Sequence, residues 1–120
     1  MNSSLHAARV ALALAGVDLA AQARVLLQLE LRLDRQAALS RRDHYLREAF
    51  ELFGAHPGNV RLLADAINRY ASTVWPCVRH LPEPRPDDRP LYRAFFRACQ
   101  AAEDAGAAIP GARQIRRVVT

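Results

Sequence analysis

Arginine is the residue type in this sequence whose number and spacing could carry chemistry. All 17 side chains that are positively charged at neutral pH are Arg, and the formal net charge is +5. Planar guanidinium groups bind phosphate and carboxylate through paired hydrogen bonds. Residues 61–120 carry ten Arg against six acidic residues, whereas residues 1–60 carry seven against six. We therefore expect an anionic partner to meet the C-terminal half of the chain.

Two groups of arginines near the C-terminus are candidates for this contact. Arg89, Arg93 and Arg97 recur every four residues, so they would share one face of a helix. No acidic residue lies at helical spacing from Arg93 or Arg97, and none follows Pro110. Like charges so spaced destabilise a helix unless a partner supplies a counter-charge. The predicted nucleic-acid-binding residues are Arg89, Arg93, Arg97, Arg113, Gln114, Arg116 and Arg117.

The same segment has the spacing of a loose helix-turn-helix. Ala102, Gly106 and Ile115 occupy suitable helix, turn and second-helix positions. Arg113 and Gln114 would then face a major groove, where Arg and Gln read guanine and adenine edges. The alternative is an ordinary surface on which Arg charges pair with acids through the fold. A GC-rich bacterial genome would also produce this abundance of Arg, Ala and Leu.

An apolar helix face indicates a second kind of function, that of a protein–protein adaptor, chaperone or inhibitor. The predicted second helix contains more Leu than one buried stripe requires, which makes Leu27 and Leu31 candidate interface residues. Tyr92 and Phe96 flank the Arg stripe and are candidate anchors beside it, because aromatic and Arg residues dominate binding hot spots. Salt would weaken binding to phosphates steeply but would leave apolar contacts intact.

Catalysis and cofactor binding have little support in the sequence. It contains no Gly-rich phosphate loop, no G-x-S-x-G and no H-E-x-x-H. Cys77 and His80 have C-x-x-H spacing and Cys99 could add a third ligand, but a structural zinc site needs four. We therefore predict a protein that is not an enzyme and that holds no cofactor or metal.

The cysteine count and the N-terminal residues bear on location. Two cysteines are too few for a disulfide framework, which favours a reducing, cytoplasmic compartment. Residues 10–17 form an apolar run, and residues 21–23 have the small-x-small form of a signal-peptidase site. Because Asp18 interrupts this pattern, we favour a helix over a signal peptide. No run approaches the ~20 apolar residues of a membrane span, so no membrane contact is expected.

Apolar periodicity and helix-capping residues predict an all-α fold, with a small bundle of about four helices and a C-terminal helical hairpin. Leu27, Leu29, Leu31 and Leu33 alternate with polar residues as in a strand. Residues 27–34 are nevertheless helix formers, so a helix is predicted there. The first two predicted helices are residues 4–15, closed by Gly16, and about 19–38, capped by Asp18. The third starts at a capping box in residues 40–43 and ends at Gly54, and the fourth is capped by Asn59 and is ended or kinked at Pro76. The last two are residues 90–105 and 110–119.

We expect a single domain in three parts. Residues 1–81 form the bundle, residues 82–90 a stiff connector and residues 91–120 the Arg-rich hairpin, which packs back on the bundle. Four of the nine connector residues are Pro, which explains the expected stiffness. The predicted core residues are Phe50, Phe53, Leu63, Ile67, Val74 and Phe95.

Overall fold

The computed structural model describes Ala7 and residues 18–120, and all regular structure in this part of the chain is helical. The all-α prediction is confirmed, including a helix over residues 27–34. The helix expected at residues 4–15 and its closing Gly16 lie outside the described residues, apart from Ala7. The elements are α1 (Leu19–Phe53), a 3₁₀ turn (Pro57–Asn59), α2 (Val60–Thr73), α3 (Trp75–Val78), α4 (Pro90–Asp104) and α5 (Ala112–Val119).

Helix α1 runs without interruption through the capping box from which a new helix was expected. That expectation is wrong, because no Gly or Pro breaks the run from Leu19 to Phe53. Asp43 binds the side chain of its neighbour Arg42 instead. Its Oδ1 accepts hydrogen bonds from Nε of Arg42 at 3.1 Å and from Nη2 at 3.0 Å. Arg42 also reaches the carbonyl oxygen of Ala108 at 3.4 Å, so this buried guanidinium links α1 to the loop before α5.

The chain divides into two compact units, residues 1–36 and residues 37–120. In the first unit, residues 19–36 are the N-terminal part of α1, and none of them is buried. The second unit holds the rest of α1 and all later elements. The division therefore falls within α1 and not at the Pro-rich segment, residues 82–90, which belongs to the second unit.

The core of the second unit forms around the apolar stripe of α2. Leu63 and Ile67 are fully buried there, and Phe50 of α1 and Phe95 of α4 join them. Phe53 and Val74 are half-buried and pack against this core. Four of the six predicted core residues are thus buried, and the other two line the edge of the core.

Local chemistry explains most helix ends in the second unit. Gly54, which follows α1, has a φ of 114°, a backbone angle that residues with a side chain rarely adopt. Pro76 lies in the first turn of α3, so the expected break after α2 is confirmed. Asn59 precedes α2 as expected, but its Nδ2 donates to the carbonyl oxygen of Gly54 at 2.9 Å and does not cap α2. Pro90 is the first residue of α4, whereas α5 begins two residues after Pro110.

Candidate functional site

Two arginines of the predicted stripe on α4 bind backbone carbonyls of the Pro-rich segment. Nε of Arg93 donates to the carbonyl oxygen of Asp88 at 3.1 Å, and its Nη2 donates to that of Pro86. Nη1 of Arg97 reaches the carbonyl oxygen of Pro82 at 3.5 Å and Oε1 of Gln100 at 3.0 Å. These bonds hold the bends and turn of the Pro-rich segment against α4, so part of the donor capacity of both arginines has a structural use.

Arg89, the third member of that stripe, has a different environment. It is the residue just before α4, and its guanidinium carbon lies 4.9 Å from the ring centroid of Tyr92. This is the geometry of a cation–π contact. Among the described residues, its side chain has no carboxylate partner. Arg89 therefore differs from Arg93 and Arg97, which donate to the backbone of the Pro-rich segment.

The arginines of α5 meet a residue of α1 across an open groove. Arg47 of α1 faces Arg113, Gln114 and Arg117 of α5, and the groove has a volume of about 680 Å³. No ion pair or hydrogen bond engages the guanidinium groups of these three arginines within the described residues. The single acidic lining residue, Asp43, is already bonded to Arg42. The groove therefore carries uncompensated positive charge.

The first turn of α5 adds to this positive potential. Gly111 precedes the helix and also lines the groove, and no side chain caps the first turn. No acidic residue lies in that turn either. Free backbone N–H groups at a helix start attract anions. The groove thus combines three guanidinium groups, an amide side chain and a helix N-terminus, which is the donor set that binds phosphate oxygens.

The helix-turn-helix spacing is only partly reproduced. Ala102 and Ile115 are buried and Gly106 has a φ of 63°, as the pattern requires. However, seven residues separate the end of α4 at Asp104 from the start of α5 at Ala112. A helix-turn-helix has a turn of three or four residues. Helix α5 packs mainly against α2, so the expected helical hairpin of α4 with α5 is not a close pair.

The predicted interface residues have different exposures. Leu27 and Leu31 are 57% and 60% exposed, one turn apart on α1. Tyr92 is half-buried beside Arg89. Phe96 is only 1% exposed, and its ring packs edge-on against Trp75 with centroids 5.2 Å apart. The expectation that Phe96 anchors an interface is therefore wrong, because this position on α4 faces the core.

The residues considered for a metal do not converge. Cys77 is exposed at α3 and Cys99 is buried in α4. In the part of the chain that the structure describes, no group of three or more His, Cys, Asp or Glu residues could hold a metal ion. Burial, with a smaller contribution from Glu103, raises the pKa of the Cys99 thiol to about 12, which favours the unreactive protonated form. The described helices include none that is long and apolar enough to cross a membrane.

Sequence reasoning missed Arg47 as a site residue. Asp43 and Glu51 lie four residues away on either side, and this spacing predicts a self-compensated face. In the structure Asp43 bonds to Arg42 and no bond joins Arg47 to Glu51, so Arg47 contributes its charge to the groove. The sequence did contain a sign of this, because Arg42 is adjacent to Asp43 and can compete with Arg47 for its carboxylate.

Comparisons with family models, curated proteins and solved structures found no match for this chain. The groove is therefore interpreted from its own geometry and charge.

Proposed function

We propose that this chain is a non-catalytic accessory protein that binds nucleic acid, or a nucleoprotein complex, through the groove between α1 and α5. The observation that carries the proposal is the convergence of Arg47, Arg113 and Arg117 on one open groove without a free counter-charge. Affinity would come mainly from phosphate contacts, because neutralising phosphates releases bound counterions. Gln114 would add a donor and an acceptor able to contact base edges.

The shape of the groove also favours an extended ligand. It is open to solvent, and its helical wall carries Arg113 and Arg117 one turn apart, a rise of about 6 Å. Two guanidinium groups so spaced can follow successive phosphates along one strand, while Arg47 approaches from the opposite wall. A compact anion would use only part of this donor set.

The test compares two triple variants of equal charge. The groove variant changes Arg47, Arg113 and Arg117 to Gln. The control variant changes Arg24, Arg32 and Arg61 to Gln; these residues are exposed and line no described cavity. Gln keeps good helix propensity, and circular dichroism would check that both variants fold.

Binding to single-stranded DNA, duplex DNA and RNA would be followed by fluorescence anisotropy at several salt concentrations. We expect the groove variant to lose affinity and its log–log salt slope to flatten by up to about three units, while the control retains most of the wild-type slope. Equal weakening in both variants would show that the charge acts diffusely and would contradict the groove. If the wild type shows no salt-dependent binding at low ionic strength, the nucleic-acid function is wrong.

A protein–protein adaptor function is supported by one specific observation, the exposure of Leu27 and Leu31 in the first unit. A face of this kind would bind an apolar surface of another protein, with little dependence on salt. The discriminating variant changes both leucines to Gln, with Leu52→Gln as a control because Leu52 is also exposed on α1. Partners captured by the wild type at high salt and lost only from the double variant would favour the adaptor function.

A further inference from the structure

A second cationic cavity lies between α2 and α4, and it shares no lining residue with the groove. Its volume is about 310 Å³. Its charged lining residues are Arg69 of α2 and Arg89 at the start of α4, and no Asp or Glu lines it. Two like charges that share a cleft repel each other, so an anion placed between them would relieve an unfavourable interaction.

Both guanidinium groups have donors to offer. Arg69 is exposed, and within the described residues its side chain has no ion pair or hydrogen bond. The guanidinium carbon of Arg89 lies 4.9 Å from the ring centroid of Tyr92, and within the described residues its N–H groups have no ion pair or hydrogen bond. The carboxylate of Asp88, the residue before Arg89, lies 3.9 Å from Nε of Arg85 and so forms an ion pair with that arginine.

The start of α4 adds positive potential at the same place. Arg89 precedes the helix, no side chain caps the first turn, and that turn contains no acidic residue. Leu91 and Tyr92 belong to this turn and line the cleft. The N-terminal end of this 15-residue helix therefore lies at the cleft together with the two arginines.

The rest of the cleft is aromatic and aliphatic. The rings of Tyr70, Tyr92 and Phe95 line it, and the centroid of Tyr92 lies 5.4 Å from that of Tyr70 and 6.0 Å from that of Phe95. Because Tyr70 and Phe95 are only 3% and 1% exposed, a ligand would meet mainly the half-buried side chains of Tyr92, Leu91 and Val74. A planar apolar group can pack on this small surface. The cavity is at the small end of the range for small-molecule sites, which suits a ligand with a single ring.

We infer that this cleft binds a small organic anion with a planar apolar body, of the aryl phosphate or aryl carboxylate class. The acid group pairs with Arg69 and Arg89, and the ring lies against Tyr92 and the aliphatic lining. This site does not depend on the groove between α1 and α5, and it could be occupied whether or not that groove binds nucleic acid.

The first experiment titrates the full-length ¹⁵N-labelled protein with phenyl phosphate, inorganic phosphate and phenol, with amide chemical shifts as the readout. Phenyl phosphate should give saturable shifts in residues 66–74 and 89–95. The other two compounds should bind at least about tenfold more weakly, because each lacks one half of the recognised group. If inorganic phosphate or phenol binds as tightly as phenyl phosphate, or if the shifts map to the groove, the inference is overturned.

Matched variants then test the two arginines. Arg69→Gln and Arg89→Gln should each weaken phenyl phosphate binding by about tenfold or more. Arg61→Gln should not, since Arg61 is exposed on the same helix as Arg69 and lies outside the cleft. The amide spectra themselves show whether each variant is folded. Unchanged affinity in both cleft variants would overturn the inference. The triple groove variant should bind phenyl phosphate like the wild type, which separates failure of this site from failure of the groove.

Discussion

Tyr70 combines a well-packed ring with a hydroxyl that lacks a partner. The side chain is 3% exposed and its ring contacts Tyr92 and Phe95. Its hydroxyl oxygen is also buried, but it has no hydrogen-bond partner among the described residues. A buried, unsatisfied polar group costs stability. We expect Tyr70→Phe to keep the ring contacts and to raise the free energy of unfolding by about 1 kcal/mol at pH 7, as measured by urea denaturation. A loss of stability would show that the hydroxyl is satisfied in solution.

The same residue makes stability depend on alkaline pH. Burial, with smaller effects from Cys99 and neighbouring charges, raises the pKa of Tyr70 from 10.0 to about 12. The folded chain therefore holds this proton more tightly than the unfolded chain. The resulting stability is complete below pH 10 and is lost as the pH rises towards 12. Wild type should lose stability over this interval more steeply than Tyr70→Phe. Parallel curves for the two proteins would contradict the raised pKa of Tyr70.

The two cysteines should differ sharply in reactivity. Cys77 is exposed, whereas Cys99 is 3% exposed and burial raises its pKa to about 12. Only the thiolate is nucleophilic, so the folded protein at pH 8 should react with a thiol reagent at one site. Cys77→Ser should react only after urea is added, and Cys99→Ser should react as fast as the wild type. Rapid labelling of folded Cys77→Ser would contradict the burial of Cys99.

At the scale of elements, the C-terminal end of α4 depends on one glycine. Gly106 has a φ of 63°, and the N–H of Ala107 donates to the carbonyl oxygen of Ala102 at 2.8 Å, as in a Schellman motif. A Cβ at position 106 would meet nothing within 4 Å, so a substitution there tests the backbone alone. Gly106→Ala should lower the free energy of unfolding by about 1–2 kcal/mol. Gly106→Asn should cost less, because Asn tolerates this conformation. Equal thermal unfolding of Gly106→Ala and wild type would refute this requirement.

The elements that could be predicted from the sequence are those whose signals are local. Three such predictions are confirmed: the apolar stripe of α2, the helix break at Pro76 and the turn at Gly106. Each follows from residues that are close together in the sequence. The capping box in residues 40–43 did not start a new helix because α1 continues through it without a breaking residue, and Asp43 binds Arg42. Arg42 is buried and bonds to Asp43 and Ala108, and no local pattern shows that Ala108 will be nearby.

The candidate site was predictable to a similar extent. The sequence grouped Arg113, Gln114 and Arg117 correctly on one helix, since their spacing places them on adjacent turns. It could not show that Arg93 faces backbone carbonyls, because a main-chain acceptor has no sequence signature. Nor could it pair Arg69 with Arg89, which are distant in sequence and meet only through the packing of α2 against α4.

At the scale of the whole molecule, burial and exposed leucine are unevenly distributed. Every buried residue of the described chain lies at Ala38 or later. Residues 19–36 instead expose Leu27 and Leu31, whereas the groove and the cleft both belong to residues 37–120. The second unit therefore contains what it needs for its own stability and for both proposed anion sites.

A fragment of residues 34–120 should consequently fold and bind as the full chain does. Starting at residue 34 lets Asp34 cap the shortened α1. Because the buried core is retained, thermal unfolding should stay cooperative, and the free energy of unfolding should change by less than about 1 kcal/mol. Oligonucleotide affinity and its salt slope should match those of the full chain, since Arg47, Arg113 and Arg117 remain. A fragment without a cooperative transition would show that residues 1–33 support the core. A folded fragment that fails to bind oligonucleotides would show that the deleted residues 1–33 take part in the contact.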